Sequence, residues 1–454
     1  MSGSNQDGRD HPADEPTRQG GRGGVDRRAK VERALVVHPV RAGGQALRDP
    51  EGRLEEARGL AEALDLEVVG AELVGLRKPT PATLFGKGKV AEVEALAADL
   101  HADVVVVDDA LTPVQQRNLE KAWGAKVVDR TGLILEIFAR RARTREGKLQ
   151  VELALLEYER SRLVRTWTHL ERQRGGTGGT GGPGETQIEL DRRQIADRIV
   201  KLKKELVEVR RTRTLHRSAR QKAPYPTLAL VGYTNAGKST LFNRLTGAGV
   251  DARDQVFATL DPTMREISLP SRAHAILSDT VGFITDLPTT LVAAFRATLE
   301  EVLEADLILH VRDISHPDSE AQKRDVEGVL DELGIGAEAR AARLIEVWNK
   351  MDLVPSDERE ALRAAAAREA GTSLVSAREG GGVDGLLAEI DHRLAAARRP
   401  VELELDYGAG EVIAWLHRHG EVLARHDDGE RLHMRVAVGD AERAQLAKML
   451  GRPV

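Results

Sequence analysis

The sequence predicts an α/β protein in three parts: an N-terminal α/β domain carrying a helical hairpin, a second α/β domain with a mixed, mostly parallel sheet, and a small C-terminal α+β domain. Three observations carry this. Short apolar runs alternate with amphipathic segments from residue 31 to 137, the pattern of a parallel sheet with helical crossovers. Two heptad-like segments flank one glycine-rich loop, the pattern of two antiparallel helices. Near the middle of the chain an apolar run passes through a short glycine-containing loop straight into a helical pattern.

The first 30 residues are rich in Gly, Arg, Asp and Pro and have no apolar core. They read as a disordered tail and not as a secretory signal. No apolar run nears the ~18 residues of a membrane span. The chain has no cysteine, which excludes disulfides and thiolate chemistry and fits the cytoplasm. A monomeric cytoplasmic protein without a membrane span is the expectation.

In the N-terminal α/β domain, residues 31–137, "ALVVHPV" (Ala34–Val40) and "DVVVVDD" (Asp103–Asp109) are short apolar runs of buried-strand type. "RLEEARGLAEAL" and "GKVAEVEALAADL" have helical spacing. Gly86, Lys87, Gly88 and Lys89 stand just ahead of the second helix. A helix N-terminus binds phosphate readily, but this quartet reads as a helix-entry turn.

Residues 138–222 form the hairpin. Leu149, Leu153, Leu156, Leu163, Trp167 and Leu170 make one apolar seam, and Ile188, Ile195, Ile199, Leu202, Leu206 and Val209 the other. This segment holds 22 Lys and Arg against 11 Asp and Glu, within a chain whose net charge is −5. Such asymmetry points to a polyanion partner, or to a solvated helical surface that favours Arg. The loop between the helices, "GGTGGTGGPGETQ" (175–187), follows Arg172 and Arg174. A phosphate loop follows a buried strand, and none precedes this one, so it is not a nucleotide site. Bare glycine backbone approaches another surface closely. Contact with RNA is the favoured reading and a flexible connector the alternative.

Residues 223–397 carry the chemistry. "TLALVGYTNAGKSTLFNRL" is an apolar strand, then Gly232, Tyr233, Thr234, Asn235, Ala236, Gly237, Lys238, Ser239 and Thr240, then a helix. Motif and context match a phosphate-binding P-loop. Backbone N–H groups there hold the α- and β-phosphates, Lys238 reaches the β- and γ-phosphates, and the Ser239 hydroxyl ligates Mg²⁺. "AILSDTVG" is a strand ending in Asp279, Thr280, Val281 and Gly282. Asp279 holds Mg²⁺ through water, and Gly282 lets the backbone meet the γ-phosphate. "LIEVWNKMD" ends in Asn349, Lys350, Met351 and Asp352. The Asp352 carboxylate accepts two hydrogen bonds that guanine offers and adenine does not. Ser376, Ala377 and Arg378 supply a backbone N–H for guanine O6. Four motifs in order and correctly spaced make this a G domain, a GTPase with GTP/GDP and Mg²⁺ as its cofactors. Between the first two motifs lies "FATLDPT" with Phe257, Ala258, Thr259 and Thr263. A switch loop needs a threonine on Mg²⁺. Both threonines qualify, and Thr259 is favoured as metal ligand and, with Lys238 and Gly282, as catalytic residue. Phe283 follows Gly282, where Ras-like enzymes carry a water-orienting glutamine. Hydrolysis is then slow alone, or a partner organises the site.

With these motifs in place, the chain resembles the HflX family, GTPases of the translation-factor-related group, over about residues 31–400. The specific pieces are "GKLQVELA" (Gly147–Ala154), the glycine-rich loop, "FATLDPT" and "DTVGF" (Asp279–Phe283). The resemblance implies an N-terminal domain fused to a G domain. It implies binding to the large ribosomal subunit and its rRNA, with the N-terminal region near the peptidyl-transferase centre. GTP-dependent splitting or rescue of stalled ribosomes follows from it, with a slow intrinsic rate that ribosomes stimulate. An apolar residue after the DxxG glycine is the family's own pattern, so Phe283 is no defect. Some members bind ATP through the N-terminal region; no residue here is assigned to that. The alternative is a GTPase switch acting on another RNA or protein, with the hairpin as an oligomerisation coiled coil. The last segment, 398–454, reads as strand, helix, a hairpin around "HDDGE" and a helix, and carries no assigned chemistry.

Overall fold

The structure is a computed structural model that describes residues 31–41, 48–173, 187–220, 225–247, 263–285, 299, 301–396, 398–429 and 431–452. The glycine-rich loop from Gly175 to Thr186 is not among them, nor are Phe257, Ala258 and Thr259.

Four parallel strands make the first sheet, in the order β2 (Glu67–Leu76), β1 (Arg33–Arg41), β3 (Val104–Val107), β4 (Lys126–Asp129). The four consecutive valines of β3 are all buried, as expected of a parallel strand covered on both faces. Helices α1 (Pro50–Glu62), α2 (Lys87–Asp99) and α3 (Pro113–Trp123) connect successive strands, and α4 (Arg130–Arg141) follows β4. Their ends are written in the sequence. Thr112 and Gln115 form a reciprocal capping box with Pro113 behind it, and Gly124 closes α3 in the left-handed region at φ 62°. Asp129 caps α4.

Helices α5 (Arg145–Gln173) and α6 (Gln187–Arg220) pack antiparallel. Leu149, Leu202 and Leu206 form the seam, with Leu153, Leu156 and Val209 against it. Glu152 pairs with Arg198 and Glu157 with Lys203 across it.

The second sheet has the order β10 (Thr372–Leu374), β9 (Leu344–Asn349), β8 (Leu307–Asp313), β5 (Thr227–Val231), β7 (His274–Asp279), β6 (Thr263–Ser268). Every pairing is parallel except β6 with β7. All seven residues of β8 are buried, which makes it the spine of the sheet. Helix α7 (Lys238–Thr246) follows β5, and α8 (Ser319–Glu332) and α9 (Ala337–Arg343) follow β8. Helix α10 (Arg359–Ala366) precedes β10, and α11 (Val383–Ala396) follows it. At the C-terminus an antiparallel sheet, β11 (Arg399–Leu405), β13 (Leu432–Val438), β12 (Glu421–Asp427), buries one face against α12 (Gly410–His419) and α13 (Asp440–Leu450).

Glu32 to Val454 packs as one compact unit. A single apolar cluster runs from Val36, Leu60, Val106 and Phe138 on the first sheet and its helices to Val231, Tyr233, Phe283 and Ile308 on the second. The burial that holds the first α/β layer together therefore also holds it to the second. No helix among the described residues is long and apolar enough to cross a membrane.

Candidate functional site: a nucleotide cradle at the strand ends

Parallel α/β sheets bind ligands beyond the carboxyl ends of their strands. Four sequence motifs arrive at that edge here, after β5, β7, β9 and β10.

The loop after β5 turns only because of its backbone choices. Gly232 sits at φ 150° and Gly237 at φ 92°, with Asn235 left-handed at φ 58°. A Cβ on Gly232 would lie 2.2 Å from the Val311 carbonyl oxygen, and one on Gly237 2.2 Å from Asn349 Nδ2. The loop thus needs glycine both for its conformation and for room. Tyr233, Thr234 and Ala236 are buried, and Asn235 is exposed. Lys238, Ser239 and Thr240 open α7. The buried Lys238 amine donates to the Gly232 and Tyr233 carbonyls at 3.0 and 2.8 Å. Burial pushes its pKa down to about 8; Asp279 acts against that shift and Lys350 adds to it.

Asp279 ends β7, buried, and its Oδ2 accepts from the Ser239 hydroxyl at 2.8 Å. Two of the three predicted metal ligands are therefore neighbours, and paired hard oxygen donors suit Mg²⁺. Thr280 donates to the Leu230 carbonyl, tying β7 to β5, and Val281 is buried. Gly282 lies so close that a Cβ there would be 3.0 Å from both Lys238 Nζ and Thr234 Cγ2. Beyond it, Phe283 pairs with the P-loop. The Thr234 N–H donates to the Phe283 carbonyl at 2.7 Å, and the Phe283 N–H to the Gly232 carbonyl at 3.0 Å. The Phe283 ring is buried in the shared core. Its side chain faces apolar neighbours, which accounts for the absence of a polar residue at this position. Thr263 stands opposite Asp279 in the β6–β7 ladder, so it is a strand residue and not a loop residue.

At the end of β9, Asn349 is a brace. Its Nδ2 donates to the Ala236 carbonyl at 2.8 Å, and its Oδ1 accepts from the Ala377 N–H at 2.9 Å. It joins the P-loop to the segment after β10. Lys350 is left-handed at φ 66° and its amine pairs with Asp313 at 2.7 Å. The Met351 N–H donates to Val375. Asp352 accepts from the Ser376 hydroxyl at 2.6 Å, which orients one carboxylate oxygen. The carbonyls of Ala377 and Arg378 both accept from Arg244 on α7.

Sequence reasoning missed three things. Arg244 has no motif around it. Asp313 lies at the end of β8, where only the fold brings it to Lys350. The third is a buried polar junction with the first α/β layer. The Tyr233 hydroxyl donates to Glu56 and hydrogen-bonds the Thr285 hydroxyl, both at 2.5 Å. Arg130 donates to the Thr285 carbonyl at 3.0 Å. Arg48 reaches Tyr233, Thr285 and Asp325. These partners are tens to hundreds of residues apart, so no local spacing announces them.

Family models match nearly the whole folded chain. They are described as GTP-binding GTPase N-terminal (residues 51–139), GTP-binding GTPase middle region (141–220), 50S ribosome-binding GTPase (227–350) and HflX C-terminal domain (361–453). GTPase HflX of Magnetococcus marinus is 55% identical over 373 residues, 82% of this chain and 84% of that protein. GTPase HflX of Escherichia coli is 47% identical over 73% of this chain and 76% of its own. A GTP-binding protein from Sulfolobus solfataricus, solved in complex with GDP, is 23% identical with a TM-score of 0.43, covering 80% of this chain and 98% of that one. The chain belongs to the HflX family and is a GTP-binding GTPase with a P-loop G domain.

Proposed function

We propose, starting from membership of the HflX GTPase family, that the protein is a GTP-driven factor that binds the large ribosomal subunit and splits or rescues stalled ribosomes. The observation that carries the nucleotide part is the convergence of four motifs, drawn from residues 232 to 378, on one edge of one sheet. The P-loop N–H groups and Lys238 would hold the triphosphate, with Gly282 presenting its backbone to the γ-phosphate. Ser239 and Asp279 would hold Mg²⁺ together with Thr259. The bound ion would neutralise charge building on the phosphate oxygens. Asp352 would read guanine; the Ala377 N–H is already taken by Asn349 Oδ1, so Asn349 keeps the base-reading segment against the P-loop.

Hydrolysis would be slow alone, because Phe283 offers no group to orient water. The ribosomal part is supported by the basic hairpin, with 22 Lys and Arg against 11 Asp and Glu over residues 138–222. One family description, that of a 50S ribosome-binding GTPase, supports it too. Basic helices joined in sequence by a glycine-rich segment suit phosphate contacts and close approach to RNA. The deciding experiment is sedimentation with ribosomal subunits in GTP, GDP and a non-hydrolysable GTP analogue. Co-sedimentation with the large subunit in the analogue and release in GDP is expected. A distribution that ignores the nucleotide would refute the proposal.

A further inference from the structure

We infer that the adjacent residues Asp129 and Arg130 couple the root of the basic hairpin to the segment that follows Gly282, so that the hairpin and the nucleotide site bias one another. The inference rests on the nucleotide-site reading above.

At one end, α5 grips Asp129. The Tyr158 hydroxyl donates to Asp129 Oδ1 at 2.5 Å, and Arg162 Nη2 donates to Oδ2 at 2.6 Å. The Arg162 guanidinium also lies 4.0 Å above the Tyr158 ring, so the two side chains act on Asp129 as one unit. Asp129 is itself buried and structural. It caps α4 through the Gly132 N–H at 2.8 Å and holds the Leu111 N–H at 3.1 Å. Any tilt of α5 at this level pulls on the start of α4.

At the other end, the next residue grips the nucleotide side. Arg130, buried, donates to the Thr285 carbonyl through Nη2 at 3.0 Å and Nε at 3.3 Å. Asp108, at 2.5 Å, and Glu56 fix the same guanidinium. Thr285 has its other polar groups held as well. Its N–H donates to the Tyr233 hydroxyl at 2.9 Å, and its hydroxyl contacts Tyr233, Arg48 and Asp325. Tyr233 belongs to the P-loop, and Phe283 is laddered to Gly232 and Thr234. Gly282, packed on Lys238 and Thr234, therefore sits between fixed points that the first α/β layer helps to hold.

The path is short and stiff. From Tyr158 and Arg162 it crosses one carboxylate, one peptide bond and one guanidinium to reach the Thr285 backbone. Buried, charge-assisted hydrogen bonds make it resistant to stretching. What the hairpin grips, and whether the γ-phosphate is present, are then linked quantities. Linkage makes the effect reciprocal: if the hairpin biases the site, the nucleotide biases the hairpin by the same factor.

The test uses the full-length protein. Amide exchange across residues 145–162 is compared in GDP and in a non-hydrolysable GTP analogue. Wild type should show a nucleotide-dependent change in protection of about fivefold or more, within the range of ordinary coupling. Tyr158→Phe/Arg162→Met should abolish the change while nucleotide affinity and basal hydrolysis stay as in wild type. Tyr158→Phe alone, which keeps the ring, should reduce it, and serves if the double variant unfolds. In the double variant, stimulation by large subunits should also fall by about tenfold, again an ordinary coupling. No nucleotide-dependent change in wild type would overturn the inference, as would a change that survives in both variants. Wild type that shows the change but is not stimulated by subunits would refute the ribosomal proposal and leave this coupling standing. Wild type that does not bind GTP would refute the site and the coupling together.

Discussion

Replacing Asn349 with Ala removes a brace that joins two loops 100 residues and more apart. The variant leaves the Ala236 carbonyl and the Ala377 N–H without the partners they have at 2.8 and 2.9 Å. Asn349 is buried, so water does not readily replace it. An orphaned buried group costs ~1–3 kcal/mol, giving ~2–6 kcal/mol for the pair. That loss divides between the stability of the free protein and its nucleotide affinity, since binding needs both loops in place. Thermal unfolding of the free protein reads the first share. Calorimetric titration with GTP and with GDP reads the second. Affinity should fall at least about tenfold, which is ~1.4 kcal/mol, and equally for both nucleotides, because neither braced loop senses the γ-phosphate alone. Asn349→Asp should do no better. Its carboxylate still accepts from Ala377 but sets negative charge against the Ala236 carbonyl. Combined losses below ~1 kcal/mol, or a loss confined to GTP, would refute the brace.

Asp352→Asn should weaken GTP and favour xanthosine nucleotides, since an amide donates to the xanthine 2-oxo group; equal ATP and GTP binding by wild type would count against the base-reading assignment. Lys238, held at about 8 by burial, should be re-protonated when phosphate arrives, because an adjacent anion raises its pKa. Binding above pH 8 should take up a proton in good part and binding at pH 6.5 almost none, so affinity declines above pH 8. Calorimetry in buffers of different ionisation enthalpy measures this, and buffer-independent heats at pH 8.5 would contradict it. A same-length Gly/Ser replacement of residues 175–187 should leave GTP affinity intact and abolish subunit splitting. Full splitting activity would make that segment a mere connector.

Much of the fold was legible because it is local. The valines of β3 and the strand–loop–helix from Thr227 to Thr246 are each read within a few residues. The hairpin seam was legible for the same reason, since Leu149, Leu153 and Leu156 repeat at helical spacing and meet Leu202, Leu206 and Val209. The order of the four motifs was legible as well, and the structure brings their described members to one edge. What was not legible depends on long-range placement. Asn349 read as a base-recognition residue, and its bracing role needs the positions of Ala236 and Ala377. Phe283 reads as an apolar residue proper to this position, and only the structure supplies the reason, a ring buried in the shared core. Tyr233 read as one more P-loop residue. Only the fold reveals that its hydroxyl meets Glu56 from a helix 177 residues earlier.

The hairpin has a kinetic consequence as well. Its segment carries an excess of 11 positive charges in a chain of net −5, so the remainder carries about −16. Any polyanion diffusing toward the protein is attracted by the hairpin segment and repelled by the net charge of the rest. Encounters are then sorted by orientation before any contact forms, and the hairpin arrives first. Added salt, which shortens the Debye length to about 8 Å at physiological strength, should erase that sorting. The arrival rate should fall steeply with ionic strength while the lifetime of the docked complex changes far less.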